Sequence, residues 1–321
     1  GAEIQQALQK EFGISMTFQE LKSITLRELQ ARVNGTKFVD KVKNLSFMDT
    51  MWMNLHGGMI FKENIEEFQV AESEGHAKLL IIPGMIGGVG KIWSKLPNSV
   101  FILQHIRMFA SKTFEDIYEA IIDDVLALFG DDNRFVLVGY SFGSMIALKL
   151  CEKLESLGKV GKLILIDGTP RSMQTNLTTL LPKDPTDEDI QNLIFNEYTS
   201  KTYGAMSKEI LHNISQKSTW NSKVEEFTRL IVDAPSKEFL TQNLEALLNR
   251  MKIVLSDSRK FSVTDKTSVV LIKPLESFTK VERDYGLKDF CADEVRVETV
   301  EGDHYTIIEN EKVVEIIKSV L

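Results

Sequence analysis

Cysteine is scarce: Cys151 and Cys291 are the two in 321 residues, too few for a disulfide scaffold. Both sit in apolar stretches and read as buried free thiols in a reducing compartment. Long apolar runs are missing too. The longest apolar-plus-glycine stretch, Leu79 to Gly90, falls short of the roughly 18–20 residues a bilayer span needs, so no membrane partner is expected. Positive charge is in deficit: 38 Lys and Arg against 46 Asp and Glu leave a net charge of −8 with no basic block. A phosphate backbone would be repelled on average, which argues against nucleic acid. The opening Gly1-Ala2-Glu3-Ile4-Gln5-Gln6 has neither the basic n-region nor the apolar core of a secretory signal, and a cytoplasmic location is the expectation. What is present, 43% hydrophobic and 26% charged residues, is the composition of a soluble globular protein able to bury a core without staples.

The chain changes character twice. Residues 1–33 read as short helices, with Ile4, Ala7, Leu8 and Phe12 at helical spacing, Gly13 as a stop, and capping-box patterns at Thr17 to Glu20 and Thr25 to Glu28. Residues 34–75 are polar with little periodicity and read as a linker that becomes an edge strand or two near Met53 to Val70. From residue 76 to 321, strands and helices alternate, the pattern of an α/β fold with a parallel sheet. Strands are expected at Lys78–Ile82, Val100–Leu103, Arg134–Gly139, Lys162–Asp167, Ser268–Ile272 and Glu294–Val300. Helices are expected at Thr113–Phe129, Phe142–Leu157 and Val313–Leu321. Between about 171 and 260 the alternation stops. That block is helical, with Leu240, Leu244, Leu247, Leu248 and Met251 along one face, and reads as an insertion forming a lid.

The chemistry starts at Gly139-Tyr140-Ser141-Phe142-Gly143, a G-x-S-x-G pentapeptide placed between an apolar strand and an amphipathic helix. In that context it is a nucleophile elbow: glycines allow the tight turn, Ser141 is presented at its apex, and the helix N-terminus offers N–H groups to an oxyanion. These features together predict an α/β-hydrolase fold, in which nucleophile, acid and histidine follow in that chain order. Only His212 and His304 follow Ser141. His212 falls in the helical insertion, whereas His304 sits in Glu301-Gly302-Asp303-His304, a polar turn between the last strand and the last helix, and is the expected base. His56, His76 and His105 precede the elbow and read as surface or structural residues. Two residues compete as the acid: Glu276, after the strand that follows the lid, and Asp167, one strand earlier. The glycine-rich loop Pro83 to Gly88 would supply the second oxyanion donor, from Met85 or Ile86. A phosphate-binding reading of that loop fails, because Gly90-Lys91 is followed by Ile92 and no G-x-G-x-x-G fits. No His, Cys and carboxylate cluster has metal-ligand spacing, so no metal is expected.

The elbow, the Asp167-Gly168-Thr169-Pro170 run after the next strand, the helical insertion and Glu301 to His304 together resemble the thioesterase domain that ends animal-type fatty acid synthases. The resemblance covers roughly Lys78 to Leu321 and includes Asp284-Tyr285-Gly286-Leu287 through Cys291. It implies Asp167 as the acid in place of Glu276, the N–H groups of Met85 and Phe142 as the oxyanion hole, and Leu193 and Ile194 as residues lining the acyl groove, to which Tyr140 and Tyr198 are added as candidates. Residues 2–13 and 18–29 look like the tail of the acyl carrier domain that precedes that thioesterase. The carrier's phosphopantetheine-bearing Asp-Ser-Leu would lie upstream of Gly1, so the chain itself is expected to hold no cofactor.

The resemblance thus implies hydrolysis of a long-chain fatty acyl thioester delivered by the acyl carrier domain of the same polypeptide, within a parent synthase that is a homodimer. Alternatives are a chain-releasing thioesterase of a polyketide or peptide synthase, a free carboxylesterase, and a catalytically idle acyl-binding domain. Two positions depart from the family. Ile86 and Tyr305 stand where it has a glutamate and a basic residue, which bears on chain length and carrier docking.

Overall fold

The computed structural model describes residues 65–69, 77–88, 91–104, 111–202, 207–230, 237–277 and 281–321. The expected carrier remnant at 1–33, most of the 34–75 linker, and His56, His76 and His105 lie outside the described residues.

Seven strands form one sheet: β1 (Ile65–Gln69), β2 (Leu79–Ile82), β3 (Val100–Leu103), β4 (Arg134–Tyr140), β5 (Val160–Ile166), β6 (Thr267–Pro274) and β7 (Arg296–Val300). Their order is β1-β3-β2-β4-β5-β6-β7. Every neighbouring pair is parallel except β1 with β3. The antiparallel β1 is the edge strand anticipated near residue 70, and only its Phe68 is fully buried. In the centre, β2 is buried along its whole length and β4 everywhere but Arg134, because helices cover both faces of a parallel sheet.

Helix α1 (Phe114–Phe129) shows how the sequence sets an element. Thr113 caps it, its hydroxyl accepting from the Asp116 N–H at 3.1 Å while the Asp116 carboxylate accepts from the Thr113 N–H at 2.9 Å. Phe114, Ile117, Ile121, Val125 and Phe129 then recur at helical spacing and are all buried. Helix α2 (Gly143–Ser156) links β4 to β5. Among the described residues, five helices come between β5 and β6: α3 (Pro170–Leu180), α4 (Asp187–Thr202), α5 (Ser207–Ser215), α6 (Trp220–Leu230) and α7 (Lys237–Ser256). Leu240, Leu244, Leu247, Leu248 and Met251 of α7 are buried together. Helix α8 (Glu311–Val320) follows β7. The architecture is the α/β-hydrolase arrangement that the alternation predicted.

Strand register aligns the ends that matter. Tyr140 pairs with Ile166 and Ile166 with Ile272, so β4, β5 and β6 reach the same level. The Ser141 N–H donates to the Ile166 carbonyl at 2.9 Å and the Asp167 N–H to the Ile272 carbonyl at 2.8 Å. The first residue beyond each of β4 and β5 is thereby anchored at the carboxyl edge of the sheet, where open α/β sheets place their ligands.

Candidate active site

Ser141 leaves β4 with φ of 53° and Asp167 leaves β5 with φ of 44°. Positive φ in a residue with a side chain is uncommon and costs about 1–3 kcal/mol, and such strain gathers at functional sites. The elbow folds this way because its flanks carry no Cβ. One added at Gly139 would lie 2.6 Å from the Ser144 Cα, and one at Gly143 would land on the Ile82 carbonyl oxygen. The Ser144 hydroxyl closes the turn by donating to the Gly139 carbonyl at 2.9 Å. Helix α2 starts with no side-chain cap on its first turn. Its neighbour α3 is capped by Thr169 and has Pro170 in its first turn. The uncapped end is the one whose N–H groups adjoin Ser141.

His304 reaches the same place from beyond β7. Its turn is held by Asp303, whose Oδ1 accepts from the N–H groups of Tyr305 at 3.0 Å and Thr306 at 2.9 Å and from the Thr306 hydroxyl at 2.9 Å. The His304 Nδ1 lies 2.6 Å from the Asp167 Oδ2. The second Asp167 oxygen accepts from the Tyr285 hydroxyl at 2.8 Å, so both oxygens of this buried carboxylate are engaged. Burial above all, with the Asp167 charge adding to it, pushes the Tyr285 phenol up and keeps it a neutral donor. Tyr285 is itself fixed, its carbonyl accepting from the Thr169 hydroxyl at 2.8 Å. Glu276 is exposed, and its backbone N–H donates to the Gly302 carbonyl at 3.0 Å. Of the two candidate acids, Asp167 is the one beside the histidine. His212 is exposed on α5.

Tyr140 lines the cavity beside Ser141 and also holds the histidine. Its hydroxyl donates to the His304 backbone carbonyl at 2.7 Å and its ring stacks on the imidazole, with centroids 5.1 Å apart and planes 25° apart. It is 3% exposed and supports the histidine from within the cavity wall.

Ser141, Asp167 and His304 open into a cavity of about 180 Å³ between the sheet edge and the helices that follow β5. Leu193 and Ile194 line it, as do Met85 and Ile86 of the first loop and Leu247 and Met251 of α7. Tyr198 belongs to α4, but its side chain lies outside the described residues. Phe142 is fully buried, so only its backbone can serve the site. The loop after β2 makes a turn in which the Gly87 N–H donates to the Gly84 carbonyl at 3.1 Å. Tyr305 is tied to the lid: its hydroxyl donates to Glu197 of α4 at 3.2 Å. Glu197 and Asn176 line the cavity, so its wall is less uniformly apolar than the sequence suggested.

Several site residues were not foreseen. Tyr285 stood in a stretch noted only for family likeness, while Glu197 and Arg250 gave no pattern at all. Cys291, expected to be buried, is partly exposed, and burial still pushes its thiol up to about 12; Cys151 is fully buried. Among the described residues there is no group of three or more His, Cys, Asp or Glu fit for a metal, and no helix long and apolar enough to cross a membrane.

A family model for the thioesterase domain matches residues 94–321. The chain belongs to the thioesterase domain family. Solved structures share its fold at low identity. A four-domain nonribosomal peptide synthetase in its holo form, bound to AMP and glycine, aligns at 16% identity and a TM-score of 0.61 over 99% of this chain. This chain spans 23% of that synthetase's length. The Vlm2 thioesterase domain, bound with a dodecadepsipeptide, aligns at 17% identity and a TM-score of 0.51 over 80% of this chain and 97% of its own. BorB, the type II thioesterase from the borrelidin biosynthetic cluster, aligns at 13% identity and 0.51 over 81% and 99%. At these identities the likeness speaks for the fold, and the thioesterase's own geometry must carry the chemistry.

Proposed function

We propose that this thioesterase domain hydrolyses long-chain fatty acyl thioesters and releases the free fatty acid, with Ser141 as nucleophile, His304 as general base and Asp167 as its acid partner. The observation that carries the reading is the 2.6 Å contact of Asp167 with His304 Nδ1 beside a serine held at φ 53°. With Nδ1 turned to the carboxylate, Nε2 is the nitrogen left for the serine. Ser141 Oγ attacks the thioester carbonyl carbon as its proton passes to His304. The N–H groups of Met85 and Phe142 hold the oxyanion. The C–S bond then breaks and His304 returns the proton to the departing thiol, leaving an acyl-serine. Water attacks that ester with the same histidine as base, and the fatty acid leaves with Ser141 restored. No step needs a metal or an organic cofactor from this chain.

The thiol in this reading is the phosphopantetheine arm of an acyl carrier domain in the same polypeptide. Two observations support it. Residues 1–33 resemble a carrier tail, and the four-domain synthetase aligns over 99% of the chain where the Vlm2 domain and BorB align over 80% and 81%. A second reading, release of a peptide or polyketide chain, draws on Glu197 and Asn176 in the cavity wall, which suit a substituent that donates hydrogen bonds.

A panel of acyl-CoA substrates separates the two, with the released thiol followed colorimetrically. Each CH₂ buried contributes about 0.8 kcal/mol, so kcat/KM should rise tens-fold or more from C8 to roughly C14–C18 saturated chains. A flat profile, or faster release of hydroxylated or aminoacyl thioesters, favours the second reading.

A further inference from the structure

Arg250 of α7 is a buried cation that the chemistry above does not use. Its side chain is 2% exposed, and Nη1 donates to the backbone carbonyl of Met85, in the turn that carries a proposed oxyanion donor. Nε and Nη2 are buried with no hydrogen-bond partner among the described residues. Burial lowers the guanidinium, to about 10, which leaves it charged at neutral pH. Among the described residues no carboxylate pairs with it; taking such a group out of water unpaired is costly, and an apolar side chain would fill the same space more cheaply.

The turn explains what that cation is for. Gly84, Met85, Ile86 and Gly87 form a β-turn closed by one backbone hydrogen bond, and Gly87 and Gly88 follow with φ of 79° and 88°. A loop so rich in glycine has few side chains to hold it by packing. A peptide unit is planar, so fixing the Met85 carbonyl fixes the plane joining Met85 to Ile86, the ψ of Met85 and the direction of the Ile86 N–H; the Met85 N–H belongs to the preceding peptide and is held at one remove, through the Met85 Cα. The alternative type II turn would rotate that plane and require positive φ at Ile86, a β-branched residue. Ile86 is not among the non-glycine residues with positive φ. Arg250 from the lid side and Ile86 from within thus favour one orientation of the turn.

We propose that Arg250 is a positioning residue of the oxyanion hole: by clamping the Met85 carbonyl, the last lid helix holds the first-loop turn in the geometry that the tetrahedral intermediate needs. The inference rests on the hydrolysis reading above. It makes the lid part of the catalytic apparatus as well as the wall of the groove.

The test compares the parent chain with Arg250→Met and Arg250→Lys, counting active sites by the endpoint of fluorophosphonate labelling so that kcat refers to folded molecules, and with Ser141→Ala at a concentration matched by total folded protein. Losing one oxyanion donor costs about 10²–10³ in kcat, and a loosened one should cost less. Arg250→Met should lower kcat about 10- to 100-fold while KM on palmitoyl-CoA stays within about threefold and the acidic limb of the pH profile does not move. Arg250→Lys keeps a donor without the fixed fork and should lose about 2- to 10-fold. If Arg250→Met gives no folded protein, Arg250→Lys decides alone. A kcat per active site equal to the parent's, or a raised KM at unchanged kcat, overturns the proposal. Thioesterase activity retained in Ser141→Ala sinks the hydrolysis reading instead.

Discussion

Tyr285→Phe removes one oxygen and, with it, the donor to the Asp167 Oδ1 at 2.8 Å. The ring stays, so no cavity opens, and besides this bond the substitution removes only the longer 3.5 Å contact of the hydroxyl with the Ser277 Oγ among the described residues. Asp167 is 5% exposed, and no water replaces the lost donor without rearrangement. A hydrogen bond to a charged group contributes about 1.5–3 kcal/mol, and in a domain of this size that lowers Tm by about 4–8 °C. The same bond holds the carboxylate facing the imidazole 2.6 Å away, so its loss should also lower kcat by roughly several-fold with little change in KM. Scanning calorimetry and steady-state kinetics on palmitoyl-CoA measure the two effects on one preparation. A Tm within about 1 °C of the parent together with an unchanged kcat would refute the idea that Tyr285 supports the acid.

Asp167→Asn should lose orders of magnitude in kcat, whereas exposed Glu276→Gln should stay within about twofold; a steady-state comparison on one substrate decides, and the reverse ranking would mean that another carboxylate serves the histidine. Leu193→Asp or Ile194→Asp should depress hydrolysis of long acyl-CoA by about 10-fold or more while sparing a short soluble ester, because only the long chain needs the apolar wall; equal loss on both places the groove elsewhere. Tyr140→Phe breaks the 2.7 Å bond to the His304 carbonyl and should cost about 1 kcal/mol in transition-state stabilisation, seen as a several-fold fall in kcat with little change in KM.

The sheet was legible in the sequence wherever an element is defined by its own residues. The apolar runs at Val100–Leu103 and Arg134–Gly139 became β3 and β4, and the amphipathic stretch expected from Thr113 became α1. The elbow was legible for a different reason: the close approach of α2 to β2 admits nothing larger than glycine at Gly143, so backbone geometry is written directly into residue type. What stayed hidden depends on contacts between distant segments. Tyr285 reaches Asp167 across 118 positions and Arg250 reaches Met85 across 165. Neither distance has a periodicity, and a tyrosine or an arginine in a polar stretch reads as solvated. Tyr140 was legible as a residue of the cavity wall, but its bond to the His304 backbone carbonyl was not, because it too joins distant segments.

Ser141→Ala bears on the central claim most directly. Parent and variant, matched for Tm, are incubated with palmitoyl-CoA while released CoA is followed, and each is quenched in acid and examined by intact-protein mass spectrometry for an acyl adduct. The proposed chemistry predicts turnover and a transient palmitoyl adduct on the parent, with the variant slower by about 10⁴–10⁶ and carrying no adduct. Hydrolysis by the variant within about tenfold of the parent, or an adduct mapped to a residue other than Ser141, would contradict it.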